Sequence, residues 1–226
     1  MSGMNRKIVL NAGCGSALAG TAHVGFSRAG WSEVRLDIDP GVRPDIVASL
    51  CDMGLSVSDG AVDAIWSSHT VEHLHAHEVV PAFSEMQRVL KPGGFALITC
   101  PNLTAIAKLA ATGDIESVVY DSPAGPIRAI DMLFGHGPSI AEGHLNMAHN
   151  TGFTASRLAR VALAAGFAEV RAMEGPSFDL WAVLLTPGAN IEALAAMFAG
   201  TNVATLFAPN SIRSDEAEVR RVAGAR

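Results

Sequence analysis

Little in this chain speaks for covalent cross-links, bulk electrostatics or membrane spanning. The 226 residues include only three cysteines, Cys14, Cys51 and Cys100. They are odd in number and far apart, which argues against a disulfide framework or a cysteine metal knuckle and fits a reducing compartment. Charged residues make up only 17%, and 22 acids outweigh 16 lysines and arginines, for a formal net charge of −6. That balance argues against broad attraction to nucleic acid or to an anionic membrane surface. The apolar run before Asn11 is too short for a signal peptide, and no run approaches the ~20 residues that cross a bilayer. The expected location is the cytoplasm. Repeats and low-complexity tracts are missing. Apolar residues are plentiful, at 49%, enough for a substantial core in one domain with an elaboration.

The most informative stretch is Lys7–Ala17, K-I-V-L-N-A-G-C-G-S-A. Ile8, Val9 and Leu10 read as a buried parallel strand. Gly13 and Gly15 bracket a tight turn, where glycine permits positive φ and close approach of a ligand. Doubly wound α/β proteins place a nucleotide at the carboxyl edge of the sheet with such a strand and turn. A strand-to-loop turn with no ligand has the same look. The next strand, Val34–Asp39, separates the two readings. Its Asp37 lies 22 residues after Gly15, the spacing at which an acid accepts hydrogen bonds from ribose hydroxyls. A nicotinamide fingerprint would need a third glycine at Leu18, so that reading fails.

Further along, Asp45–Ala48 and Ala61–Ser67 read as strands, with the acidic turn Leu50–Gly54 between them. Over His77–Leu90, apolar residues recur at three- and four-residue steps, the pattern of an amphipathic helix. Lys91-Pro92-Gly93-Gly94 ends it, and Phe95–Cys100 is a fifth strand. The alternation predicts a parallel sheet with helices on both faces and right-handed crossovers. From Leu103 to Asn150 the rhythm breaks. A helix at Leu103–Ala111 is followed by many prolines and glycines, which inside a compact fold suggests a lid or binding loop. Thr154–Ala165 is a helix with Thr154 as N-cap. Ala168–Met173 and Phe178–Thr186 form a closing antiparallel hairpin. Asn190–Ala199 reads as a helix, and Arg213–Arg221 as a short surface helix. Trp31, Trp66 and Trp181 read as core or cofactor-side packing.

Taken in order, these pieces resemble the class I S-adenosylmethionine-dependent methyltransferases. The resemblance rests on Leu10-Asn11-Ala12-Gly13-Cys14-Gly15, Leu36-Asp37-Ile38-Asp39, Cys51-Asp52-Met53, Ser68-His69-Thr70-Val71-Glu72-His73-Leu74 and Arg88-Val89-Leu90-Lys91-Pro92-Gly93-Gly94. It covers about Lys7–Thr186. The Asn11 start and Gly152-Phe153-Thr154 resemble a bacterial subgroup of that class. The resemblance implies a Rossmann-like, doubly wound α/β fold: a seven-stranded, mostly parallel sheet with an antiparallel last strand. Residues 1–186 would form the methyltransferase domain, with a lid insertion at about 103–150, and 187–226 a C-terminal helical appendage able to pack on a partner subunit, possible dimers included.

The same resemblance implies S-adenosylmethionine as cofactor. Gly13 and Gly15 would approach its methionine portion, beside Asn11. Asp37 would hold the ribose hydroxyls and Ile38 would pack on the adenine. Asp52 would accept from the adenine amine, with Met53 contributing its backbone or its side chain. Ser68 and His69 would face cofactor and substrate. Two positions depart from the family pattern. Asn11 replaces an acid and supplies no charge opposite the sulfonium, and Ala17 stands at the usual third glycine.

The expected reaction is in-line methyl transfer to an oxygen or nitrogen nucleophile of a small-molecule or glycan-type substrate. If a proton must leave, a neutral histidine has a suitable pKa. His144 or His149 is the expected base, with His69 next. His136, His144 and His149 also fit a bland reading as hydrogen-bonded loop histidines. Tyr120 is a candidate pocket wall. A non-catalytic protein that binds S-adenosylmethionine or S-adenosylhomocysteine is the alternative from another class. His69-Thr70-Val71-Glu72-His73 also matches H-x-x-E-H, the inverted zinc-protease pattern. That chemistry needs both histidines on one helical face and a third ligand. Here the motif directly follows a strand, so no metal is assigned. His75 and His77 read as solvated residues entering the helix.

Overall fold

A computed structural model describes residues 6–16, 22–27, 30–122, 125–208 and 211–215. In chain order the elements are β1 (Lys7–Ala12), β2 (Trp31–Asp37), β3 (Ile46–Val47), β4 (Val62–Ser68), α1 (Val79–Val89), β5 (Leu90–Pro101) and α2 (Leu103–Thr112). Then come β6 (Val118–Ser122), β7 (Gly125–Arg128), α3 (Ala129–Phe134), α4 (Gly137–Ala141), α5 (Ala155–Ala164), β8 (Glu169–Glu174), β9 (Asp179–Leu185), α6 (Ile191–Phe198) and β10 (Ile212–Asp215). The main sheet has the order β10-β8-β9-β5-β4-β1-β2-β3. Its first five strands pair in parallel, and β9 runs antiparallel to both β5 and β8. This is the expected seven-stranded sheet with β10 added at one edge.

Each strand of the centre buries both faces, which is why it reads as a continuous apolar run. On one face Leu10, Ile65, Ala96 and Ile98 pack beneath α1 and α5 through Phe83, Met86, Leu158 and Ala162. On the other, Val9, Trp66, Phe95 and Leu97 meet Phe26, Phe198 and Phe207. The two faces differ in chemistry. The first is mainly aliphatic, with Phe83, Phe153 and Phe167 set among Leu, Ile, Val, Met and Ala. The second is aromatic, with Trp66 stacked on Trp181 at 5.8 Å and Phe198 on Phe207 at 5.3 Å. Fully burying one such side chain contributes about 1.5–3 kcal/mol. All three tryptophans therefore serve the core.

Local signals set the element ends. Thr154 Oγ1 accepts from Arg157 N at 3.1 Å, Asn102 Oδ1 from Thr104 N at 3.1 Å, and Asn190 Oδ1 from Ala193 N at 2.9 Å. Each cap satisfies a helix donor that would otherwise lack a partner. Three expectations change. The 91–94 stretch does not separate helix from strand. It is a bulged start of β5: Leu90 already pairs with Val62, Gly93 turns at φ +80°, and the register has shifted when Phe95 pairs with Ala64. Residues 213–215, expected in a surface helix, instead pair antiparallel with β8; the remainder of that stretch, residues 216–221, lies outside the described residues, as do Ala17 and Leu18. The segment expected as an appendage is built into the aromatic core, since Leu194, Phe198, Val203, Leu206 and Phe207 are all buried there.

Candidate active site

The parallel strands all deliver their carboxyl ends to one edge, so the loops after β1 to β5 converge there. The first is the glycine turn. Gly13 has φ +74° and Gly15 φ +57°. A Cβ on Gly13 would sit 2.2 Å from the Thr70 side chain, so only glycine fits. Thr70 Oγ1 lies 3.4 Å from the Ala12 and Gly13 carbonyls and 3.1 Å from that of Ser68. The loops after β1 and β4 are thus joined through one side chain.

Asp37 ends β2 beside the glycine turn. Its Oδ2 accepts from Gly15 N at 2.8 Å and its Oδ1 from Asp39 N at 3.0 Å. The carboxylate is therefore aimed by backbone, with lone pairs left for hydroxyl donors. Ile38 follows, an apolar side chain 60% exposed on this edge. Asp52 is exposed after β3. These groups fit the ribose and adenine ends of an adenosyl cofactor.

Two of the expected contacts take other tasks. Asn11 is buried, and its Nδ2 donates to Glu33 Oε1 at 2.6 Å. Its amide is held by the neighbouring strand. Met53 offers no side chain to a ring, being fully buried in the aliphatic core. Its N–H donates to Glu85 Oε2 at 2.7 Å, so Met53 positions the loop that carries Asp52. Ser68 ends β4 and lends its carbonyl to Thr70.

Beyond the β4 and β5 ends lies a cavity of about 210 Å³, roofed by β6, β7, α3 and α4. His69, Glu72, His73, His136 and His149 give it polar groups, and Tyr120, Ile127, Met132 and Phe178 give it an apolar wall. Two wall residues carry backbone strain, His69 at φ +49° and Phe178 at φ +60°. Non-glycine residues hold such angles at a cost of about 1–3 kcal/mol, and they gather where function fixes geometry.

His69 Nδ1 lies 3.2 Å from Glu72 Oε1. A carboxylate only accepts, so Nδ1 carries the proton and Nε2 keeps a lone pair. Burial pulls the His69 pKa down. The hydrogen bond and charge of Glu72, with the charge of Asp179, reverse this and leave it raised. His149 Nδ1 donates to the Met132 carbonyl at 3.0 Å, and His73 Nδ1 to that of Ala148 at 3.0 Å. Burial lowers the His149 pKa. The Glu72 carboxylate is buried, and its Oε2 has no partner among the described residues. His136 Nε2 is likewise buried without one.

The roof is fixed by charge and by a close approach. Asp131 accepts from Arg128 Nε at 3.0 Å and from the N–H groups of Arg128 and Gly137 at 3.0 and 3.1 Å. Gly135 has φ +97°, and a Cβ there would lie 2.1 Å from the Met147 carbonyl oxygen. That contact holds α3 against residues 147–148.

Among the expected bases, His69 and His149 line the cavity and His144 does not. His144 is exposed where the chain leaves α4. It is not among the residues that line the cavity, so its assignment as a base is withdrawn. The reading of Tyr120 as pocket wall holds. Glu72, His73 and Phe178 are lining residues that the sequence does not single out as site residues. For Glu72 and His73 the H-x-x-E-H spacing was the available signal, but it suggested the wrong pairing. Residues 71–73 form a 3₁₀ turn, and His73 meets His149 rather than His69, with ring centroids 5.0 Å apart.

Residues 10–98 match the profile of a family described as a methyltransferase domain. No protein of curated function matches the chain. Solved structures share the fold at low identity. An S-adenosylmethionine-dependent methyltransferase from Archaeoglobus fulgidus is 14% identical with TM-score 0.53, over 81% of this chain and 87% of that one. The 1,6-didemethyltoxoflavin-N1-methyltransferase of Burkholderia thailandensis, solved with bound 1,6-didemethyltoxoflavin and S-adenosylhomocysteine, is 14% identical with TM-score 0.50, over 81% and 72%. A protein from Bordetella parapertussis is 14% identical with TM-score 0.51 over 80% of this chain, which spans only 63% of that protein.

Proposed function

We propose that this chain is a class I S-adenosylmethionine-dependent methyltransferase and that it methylates an oxygen or nitrogen nucleophile of a small molecule or of the end of a glycan-type chain. The observation that carries the reading is the adjacency of two sites on one sheet edge. The glycine turn with Asp37, Ile38 and Asp52 suits the cofactor. The cavity with His69 opens immediately beside it, past the end of β4.

When bound, the cofactor supplies an activated methyl group on a sulfonium. The chain's own residues supply position. Asp37 accepts from the ribose hydroxyls, Ile38 covers the adenine and Asp52 accepts from its amine. Gly13 and Gly15 let the backbone close on the methionine end. The acceptor enters the cavity with its apolar part against Tyr120, Ile127 and Phe178. His69 Nε2 takes the proton that leaves the nucleophile, and Glu72 fixes the ring and offsets the charge it gains. His149 is the second base candidate, its tautomer set by the Met132 carbonyl. Holding the reactants at attack distance contributes up to about 7–11 kcal/mol of the barrier reduction.

The cavity volume of about 210 Å³ favours small acceptors, since pockets for drug-sized ligands run from about 300 Å³ upward. Free Cys14, Cys51 and Cys100 fit a cytoplasmic setting, and no helix among the described residues is long and apolar enough to cross a membrane. The test is transfer from labelled methyl donor to a panel of small alcohols, phenols, amines and sugars, run with wild type and His69→Gln. Turnover that the variant loses while it still binds S-adenosylhomocysteine supports the reading. Full turnover in the variant removes His69 as base. Cofactor binding with no transfer to any acceptor favours the non-catalytic alternative.

A further inference from the structure

We propose that Glu72, His73 and His149 form a binding site for a divalent first-row transition metal ion in the floor of the cavity. One ligand atom from each of the three, an imidazole nitrogen or a carboxylate oxygen, lies within 4.8 Å of the others. Metal–ligand bonds of about 2.1 Å at tetrahedral angles would draw these atoms to roughly 3.3 Å. Small rotamer adjustments cover the difference.

Three further observations point the same way. First, both imidazoles are already prepared as ligands. The Nδ1–H of His73 goes to the Ala148 carbonyl and that of His149 to the Met132 carbonyl. A carbonyl cannot donate, so each Nε2 holds a lone pair, and a histidine fixed in this way is the usual state of a metal ligand. Second, Glu72 is 1% exposed and its Oε2 has no hydrogen-bond partner among the described residues. A buried carboxylate oxygen without a partner is costly unless something positive meets it. Its Oε1 is held by His69, so only Oε2 is left for an ion. Third, the backbone ties the two halves of the site together. Asn150 and Thr151 donate to the Glu72 carbonyl at 2.9 and 3.1 Å, and His149 N donates to the Phe134 carbonyl at 3.1 Å.

Two imidazoles and one carboxylate suit zinc, iron(II), cobalt(II) or manganese(II) rather than calcium or magnesium. With three protein ligands, the ion keeps open positions. Those positions face the cavity, where they would take an oxygen or nitrogen atom of the acceptor; this role, unlike the ion site itself, rests on the methyltransferase reading. The H-x-x-E-H motif thus contributes its last two residues to a metal site, and the third ligand comes from 76 residues further along the chain.

The test uses chelator-treated full-length protein titrated with cobalt(II), read by visible absorption, and with zinc, read by calorimetry. The site predicts one ion per chain, a low-coordinate cobalt spectrum and a melting temperature that rises with zinc concentration. His149→Ala and the shape-preserving Glu72→Gln should each weaken binding on the order of tenfold or more. His75→Ala/His77→Ala, which removes an exposed histidine pair, should leave binding unchanged. If His149→Ala does not fold, Glu72→Gln decides alone. No stoichiometric binding to the folded wild type, or binding kept by Glu72→Gln, overturns the site. S-adenosylhomocysteine affinity, measured on the same samples, reports separately on the methyltransferase reading.

Discussion

The two halves of the sheet edge are built in different ways. The cofactor half is made of short loops, each following its own strand, and its working parts are backbone groups, two glycines and one aimed carboxylate. The cavity half is made of side chains drawn from residues 69–73, 101, 120, 127–139, 147–149 and 177–178. The first half is local in sequence and the second is assembled by the fold. A local half can be altered one loop at a time. An assembled half depends on contacts that hold distant segments together, such as Gly135 against Met147 and Asn150 Nδ2 donating to the His73 carbonyl at 2.8 Å.

The largest separation between the halves is expected at His69. His69→Gln should lower turnover on the order of 10²–10⁴-fold with S-adenosylhomocysteine affinity unchanged, measured by steady-state kinetics beside calorimetry. Next come Gly13 and Gly135, two glycines beside the site at which a Cβ would clash. Gly13→Val drives a side chain into Thr70 and should abolish cofactor binding. Gly135→Val drives one into the Met147 carbonyl and should distort the cavity and remove turnover while cofactor binding persists. Each costs at least about 1–3 kcal/mol in overpacking, read as a lower melting temperature. If both variants lost both functions together, the halves would not be separable.

A smaller effect concerns pH. His23 is buried in the aromatic core, where its Nδ1 accepts from Gly25 N at 3.1 Å and its Nε2–H meets Asn202 Oδ1 at 2.9 Å. Burial lowers its pKa below the ordinary 6.5, partly opposed by Asn202. The unfolded chain therefore binds the proton more readily. This contribution to stability is present above about pH 6.5 and is lost as pH falls below it. Denaturant midpoints at stepped pH should show that loss, and His23→Gln should flatten the slope. The smallest effect is at His144, which is exposed and does not line the cavity. His144→Ala should change stability by no more than about 0.5 kcal/mol and leave turnover intact, whereas His149→Ala should not.

The sequence was legible where one element carries the whole signal. The glycine turn, the Asp37 spacing, the helix over 79–89 and the closing hairpin follow from periodicity and turn chemistry within a single segment. The roof was not legible in this way. None of the strand residues of its hairpin β6–β7 with a described burial is fully buried, so no alternation of apolar residues marks it. His144 and His149 looked alike as loop histidines. Only the fold places His149 in the cavity lining and leaves His144 exposed outside it. Met53 was misassigned because the acidic turn is short enough for a cofactor loop, while the tie from its N–H to Glu85 comes from a helix 32 residues away.

The most direct test is calorimetric titration with S-adenosylhomocysteine, NADH as control and Asp37→Ala beside the wild type. The account predicts binding of S-adenosylhomocysteine but not NADH, weakened by roughly 1.5–3 kcal/mol, about 10- to 100-fold, when the charged acceptor for the ribose hydroxyls is removed. A well-folded wild type that does not bind S-adenosylhomocysteine, or a variant that binds it as tightly as the wild type, would contradict the placement of the cofactor at this edge.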